Sequence, residues 1–189
     1  MKFLEEKILT EGKIVSENVL NVDSFLNHQL DAKLLSQCGK AWYDIFHDCG
    51  ITKILTIESK GIAVACMAAQ YFNVPVLFAK RTVSGNVDDT FYKSNIVSYT
   101  HGHIYDVIAP KEFITKDDKV LILDDFIANG SAMKALIALA RLGGAQIVGC
   151  GAVIEKVYLS GGSDIRSMGY RVESLAKISS ITNGKIEFC

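Results

Sequence analysis

Proline is almost missing from this chain: Pro75 and Pro110 are the only two among 189 residues. That scarcity, with no low-complexity stretch and no internal repeat, leaves no candidate linker between domains. Long apolar runs are missing too. None reaches the roughly 18 residues of a membrane span, and the start Met1-Lys2-Phe3-Leu4-Glu5-Glu6 does not read as a signal peptide. A membrane is therefore not an expected partner. Neither sign of charge dominates, since 20 basic residues face 21 acidic ones. Duplex binding needs a basic surface, so nucleic acid is not expected either. The five cysteines are odd in number and contain no CxxC pair, which argues against a disulfide framework. They read as small buried thiols of a reducing cytoplasm. No GxGxxG and no GxxxxGK[ST] occurs, so dinucleotide binding and P-loop chemistry lose support.

What is present suits one α/β domain over residues 1–189. The composition is 49% hydrophobic and 22% charged, which argues against disorder. Short β-branched runs at Lys53–Ile57, Val74–Ala79, Val120–Leu123, Gln146–Val153 and Val172–Ile181 read as buried strands of a mostly parallel sheet. Helical periodicity covers Asp31–Cys49, Ile62–Phe72 and Met133–Leu142. A shorter helix is expected at Phe3–Leu9 and another from Gly161 to Met168. Lys13–Val22 can hold one or two short strands. Thr82–Tyr92 reads as a long polar loop, and Ile96–Ile108 as a two-stranded hairpin around His101-Gly102-His103. Such loops often act as lids. Those two histidines could share a strand face, but no third ligand lies nearby, so they read as a surface pair and no metal ligand is assigned.

The richest stretch is Lys119-Val120-Leu121-Ile122-Leu123-Asp124-Asp125-Phe126-Ile127-Ala128-Asn129-Gly130-Ser131-Ala132. An apolar strand ends in two carboxylates, and a small-residue turn opens a helix. The free amides of a helix start favour an anion, and small side chains let it approach. The acids repel that anion and suit hydroxyls or a bridging cation. A sugar diol with a phosphate answers both needs. A second junction, Glu58-Ser59-Lys60-Gly61, reads either as a plain βα turn or as a seat for a second phosphate. Lys80 and Arg81 end a strand as adjacent cations, ordinarily a solvated edge. Lys156 follows another strand, on the side where open α/β sheets bind ligands.

This order of strand, acid pair and phosphate loop resembles the ribose-phosphate motif of the type I phosphoribosyltransferases, and most closely their purine-salvage branch. The loop departs from the commoner Thr- and Gly-rich form, and Lys60 stands where that family usually carries Arg. The resemblance implies a mostly parallel sheet flanked by helices, with a small hood and a flexible lid hairpin. The hood is expected from about 13–30 and the C-terminal region, the lid from about 81–108. The implied reaction transfers a phosphoribosyl group from its diphosphate donor to xanthine. Guanine, hypoxanthine or adenine are alternative bases, and a non-catalytic regulator sensing the donor is a more distant one. Asp124 and Asp125 are implied at the ribose hydroxyls as catalytic residues. Ala128, Asn129, Gly130, Ser131 and Ala132 are implied at the 5-phosphate. Glu58, Ser59, Lys60, Gly61, Lys80 and Arg81 are implied at the pyrophosphate, with Mg²⁺ carried by the donor. Leu20, Asn27 and Lys156 are implied at the base. A homodimer is implied as well. No general acid or base is named: related adenine enzymes carry a carboxylate where Thr100 aligns.

Overall fold

The computed structural model describes residues 1–16, 19–83, 88–97 and 104–189. His101 and His103, and Thr100, lie outside the described residues. In chain order the helices are α1 (Lys2–Glu11), α2 (Ala32–Phe46), α3 (Lys60–Phe72), α4 (Ser131–Leu142) and α5 (Gly161–Ser167). A short ribbon pairs β1 (Lys13–Ser16) with β2 (Val19–Asn21), and a π-helical turn, Asp23–Asn27, follows it. The remaining strands are β3 (Lys53–Ile57), β4 (Val76–Val83), β5 (Phe91–Val97), β6 (Ile104–Pro110), β7 (Lys119–Ile127), β8 (Gln146–Lys156), β9 (Val172–Thr182) and β10 (Lys185–Phe188).

These eight strands form one sheet in the order β10-β9-β8-β7-β3-β4-β6-β5. The central ladder from β4 through β3, β7 and β8 to β9 is parallel. Antiparallel strands close both edges. Parallel strands need helical crossovers, which bury both sheet faces. One face accordingly carries α1, α2 and α3, with Leu4, Ile8, Leu35, Trp42 and Val64 in its core. The other carries α4 and α5, with Met133, Leu136, Ile137 and Ile165 against Leu55 and Ile122. The chain leaves β3 through α3 toward one edge and leaves β7 through α4 toward the other. Between the carboxyl ends of β3 and β7, therefore, the loops part and a crevice opens.

Local chemistry explains the helix limits. The Leu34 N–H donates to Asp31 Oδ1 at 3.0 Å. That capping bond, joined by the Lys7 ammonium, holds the Asp31 carboxyl below its ordinary range. Leu34, Leu35, Cys38, Trp42 and Phe46 then share the buried face of α2. Phe46 and Trp42 sit directly on β8, where Gly149 and Gly151 leave room: a Cβ at either would lie 2.7 Å from the ring above it.

The structure departs from the sequence expectations at several ends. β4 runs on to Val83 and β5 begins at Phe91, so the polar stretch from Thr82 to Tyr92 is not wholly loop. Antiparallel pairing with β6 extends both strands. β7 continues through both acids to Ile127, and β8 through Lys156, because their mutual ladder persists to Ile127 and Glu155. β9 is not terminal: Asn183 (φ 52°) and Gly184 (φ 72°) turn the chain back into β10. An Asn-Gly pair at positive φ is the preferred two-residue hairpin turn. Of the five thiols, Cys38 and Cys150 are buried but Cys66 and Cys189 are exposed.

Close approach of α2 and α3 hinges on Gly39. A Cβ there would stand 2.7 Å from the Met67 carbonyl oxygen and 2.9 Å from the Ala68 nitrogen, both backbone. Gly39→Ala is expected to force the helices apart at a cost of about 1–3 kcal/mol, read as a lower Tm. An unchanged Tm would show that the interface gives way freely.

Candidate active site

The crevice at the ends of β3 and β7 holds a cavity of about 370 Å³. Three strand-to-helix or strand-to-loop junctions supply its walls. From β3 come Ile57, Glu58, Ser59, Lys60 and Gly61; from β4, Arg81; from β7, Asp124, Asp125, Phe126 and Ala128. Lys156 at the end of β8, with Leu20 and Asn27 from the N-terminal ribbon and turn, closes the far side.

Backbone geometry makes the first junction. The Glu58–Ser59 peptide is cis. The Glu58 N–H donates to the Ala79 carbonyl at 3.0 Å, and the Arg81 N–H donates back to Glu58 Oε1 at 2.9 Å. Glu58 therefore ties the loop to β4. No side chain caps the start of α3, so its first amides stay available to an anion. A Cβ at Gly61 would lie 2.1 Å from Thr56 Oγ1 and 3.0 Å from Asp124 Oδ1. Glycine is thus what lets this helix start settle over the acid.

The second junction repeats the pattern. Gly130 adopts φ 74°, and no side chain caps α4. The Lys134 N–H donates to the Gly130 carbonyl at 2.8 Å, which sets the first turn of the helix. Ala128 lines the cavity, Asn129 is exposed, Gly130 is buried, and Ser131 and Ala132 are half-buried in that first turn. Lys80 is placed elsewhere. Adjacent strand residues point to opposite faces, so Arg81 reaches the cavity while Lys80 lies in a separate groove, its ammonium 6.0 Å from the Phe78 ring centre. Ile57 and Phe126 line the cavity and carried no assignment in the sequence. Phe126 stands two residues past Asp124 on one strand, a period-2 signal that would have found it.

The electrostatics are those of a site built at a cost. Asp124 and Asp125 are 4% and 8% exposed. Burial, then the repulsion of Asp125, raises the Asp124 carboxyl well above its usual range. Burial also raises Asp125, opposed by the hydrogen bond to Asp124 and by the Lys60 charge. The Asp125 N–H donates to Asp124 Oδ1 at 2.9 Å. The Lys156 ammonium lies 5.7 Å from the Phe126 ring centre, and burial pushes it below the usual lysine range. Among the described residues Asn27 Oδ1 is buried without a hydrogen-bond partner, a condition a ligand N–H would relieve. The uncapped start of α3, the paired acids, the Phe126 ring and the Asn27 amide thus share one cavity. Cys38 and Cys150, by contrast, are buried thiols pushed up to about 12 and serve as packing.

Comparison with known proteins agrees with this geometry. Residues 27–179 match the family described as the Phosphoribosyl transferase domain. The chain is 48% identical over 188 residues to a protein of Clostridium novyi named xanthine phosphoribosyltransferase, covering 100% of this chain and 99% of that one. It is 47% identical over 188 residues to the protein of that name in Bacillus mycoides, covering 100% and 95%. Among solved structures, an adenine phosphoribosyltransferase from Rhodothermus marinus superposes with a TM-score of 0.76 at 22% identity, over 94% of this chain and 99% of that one. The enzyme of Giardia lamblia complexed with 9-deazaadenine gives 0.77 at 18% identity, over 92% and 97%. These structures share the fold.

The acid pair generates a stability prediction. A carboxyl whose folded pKa is raised favours the fold below its unfolded pKa, and that favour is lost as pH rises through the folded value. Holding this carboxyl in the interior at neutral pH therefore weakens the fold. Asp124→Asn is expected to raise Tm at pH 7 by about 2–4 °C, the shift that roughly 1 kcal/mol gives in a chain of this size. The gain should shrink as pH falls toward about 4, and turnover should drop about a hundredfold. A lower Tm at pH 7 would contradict the electrostatic account.

Proposed function

The chain belongs to the phosphoribosyltransferase family, and on that premise we propose that it is a xanthine phosphoribosyltransferase of purine salvage. It joins xanthine to the phosphoribosyl group of 5-phospho-α-D-ribose 1-diphosphate and releases xanthosine 5′-monophosphate and diphosphate. One observation carries the reading: the Glu58–Gly61 turn, the acid pair, Ala128 from the second junction, and Asn27, Phe126 and Lys156 line one cavity.

The reaction forms a bond from a ring nitrogen of the base to the anomeric carbon as the bond to diphosphate breaks. Positive charge develops on the sugar, where Asp124 and Asp125 hold the ribose hydroxyls and favour it. The amides of Ala128–Ala132 anchor the 5-phosphate, a remote handle whose binding orients the reacting carbon. Lys60, Arg81 and the amides from Ser59 to Gly61 receive the diphosphate. Lys80 lines a separate groove. Of the hood expected over about 13–30 and the C-terminal region, and of the lid expected over about 81–108, residues 17–18, 84–87 and 98–103 lie outside the described residues.

Mg²⁺ is expected to arrive with the donor, neutralising diphosphate charge. Such an ion keeps several waters and takes one or two carboxylates besides substrate phosphates. The donor set fits: Asp124 and Asp125 are buried acids on the cavity wall, and among the described residues no larger ligand cluster is present.

Base choice follows from donors and acceptors. Lys156 is donor-only, so it favours the ring carbonyls of xanthine over the amino group of adenine or guanine. Asn27 Oδ1 accepts a base N–H, and the Phe126 ring covers the flat face. Xanthine is expected to be used in preference to guanine, hypoxanthine and adenine in a four-base assay with the phosphoribosyl donor. Equal or better use of adenine would overturn the assignment while leaving the family intact. Lys156→Ala should cost about tenfold more in kcat/KM with xanthine than with hypoxanthine, which lacks the second carbonyl. An equal loss on both would mean general damage.

We further propose a homodimer, with the cytoplasm as its compartment. Five free thiols suit reducing conditions, and among the described residues no helix is long and apolar enough to cross a membrane. The outer face of β4, β6 and β5 bears a groove of about 860 Å³ lined by Phe78, Phe91, Ile108 and Phe113. Phe78 and Phe113 are 38% and 49% exposed, an apolar surface that a second copy would cover. Sedimentation equilibrium should give twice the 20.7 kDa of one chain, and Phe78→Asp should give the single-chain mass. A wild-type protein of single-chain mass would overturn the dimer.

A further inference from the structure

Behind the second helix start lies an ion pair, its carboxylate buried and its guanidinium at the surface, that the reaction itself does not use. Glu155, on β8, is 1% exposed. Both its oxygens are held by Arg166 from α5, Nη1 to Oε1 at 2.7 Å and Nη2 to Oε2 at 2.8 Å. Ser174 Oγ adds a bond to Oε2 at 2.6 Å, and Arg166 Nη2 also donates to the Val172 carbonyl at 3.3 Å. Burial would raise this carboxyl, but the bonds from Arg166 and Ser174 outweigh it and hold it low. Such a pair contributes little net stability compared with apolar packing of the same volume. Its value lies in direction, because a two-pronged guanidinium fixes orientation as well as distance.

What it orients is α5. Seven residues are too few for a helix to stand alone, and Ile165 is its one large buried side chain. Contact with the carboxylate is direct: a Cβ at Gly162 would lie 1.8 Å from Glu155 Oε1. The preceding residue touches the anion seat. The Gly161 N–H donates to the Ala128 carbonyl at 3.0 Å. A Cβ at Gly161 would lie 2.3 Å from that oxygen and 2.4 Å from the Gly130 nitrogen. A second tie, Lys134 Nζ to Asp164 Oδ2 at 2.6 Å, joins the first turn of α4 to α5.

We infer that Glu155 and Arg166 are positioning residues: their pair fixes α5 so that Gly161 holds the Ala128–Gly130 loop in its anion-binding shape. The inference rests on the proposed role of that loop as the 5-phosphate seat. Neither side chain reaches the substrate. The diphosphate seat at Glu58–Gly61 lies across the crevice and is independent of this brace.

Binding of ribose 5-phosphate and of pyrophosphate to the full chain by calorimetry, with steady-state kinetics, tests it. Arg166→Ala is expected to weaken ribose 5-phosphate about tenfold and to raise the donor KM by a similar factor. Pyrophosphate affinity and kcat at saturation should stay within about twofold. Arg166→Lys, with charge but no fork, should recover only part of the loss. Lys134→Ala removes the outer tie at the surface, and should raise the donor KM two- to threefold even if Arg166→Ala fails to fold. Ribose 5-phosphate affinity unchanged in the folded variants would overturn the inference, as would a fall in kcat with KM unchanged. A wild-type protein that binds no ribose 5-phosphate would instead overturn the reading of the loop.

Discussion

Two carboxylates side by side, both out of water, are the constraint around which this molecule is arranged. Neighbouring ions in a poorly polarisable interior repel strongly, and each has lost its hydration. Asp124 and Asp125 survive there because the cations of Lys60 and Arg81 offset part of the cost, and because β7 is clamped by parallel ladders on both sides. A strand so held cannot relax to let the acids out. The cost is therefore retained by the fold.

Around that pair the fold separates tasks by direction. The central ladder divides between β3 and β7, and each departing helix leaves an uncapped start facing the crevice. Two anion seats thus arise from one topological event. The base wall is assembled differently, from the end of β8, the third residue after Leu123 on β7, and an N-terminal turn.

How much of this could be read in the chain depended on whether the signal was local. Asp124, Asp125, Ala128 and the Glu58–Gly61 turn stand in contiguous motifs, and they fall in the cavity or at its rim. Lys156 and Asn27 needed the family resemblance, since a strand-end lysine and a loop amide are commonplace by themselves. Lys80 lines a different groove from its neighbour Arg81, a separation that follows from the alternation of side chains along β4. The β9–β10 hairpin was announced by Asn183-Gly184. By contrast, nothing near Glu155 foretells Arg166 and Ser174, because their meeting is made by tertiary packing alone. The extended ends of β4, β7 and β8 were hidden for the same reason. Neighbouring strands, not propensity, carry them past polar residues.

The contact between Gly130 and Gly161 bears on how such a chain can vary. A Cβ at Gly130 would lie 2.9 Å from the Gly161 Cα, and one at Gly161 nearer still to the loop backbone. Backbone meets backbone there, so neither position has a flexible neighbour to yield. A side chain at either is acceptable only after the other segment has already withdrawn. The two sites therefore change together or not at all, and the sequence space open to the Ala128–Ala132 loop is set by a residue 31 positions beyond Gly130.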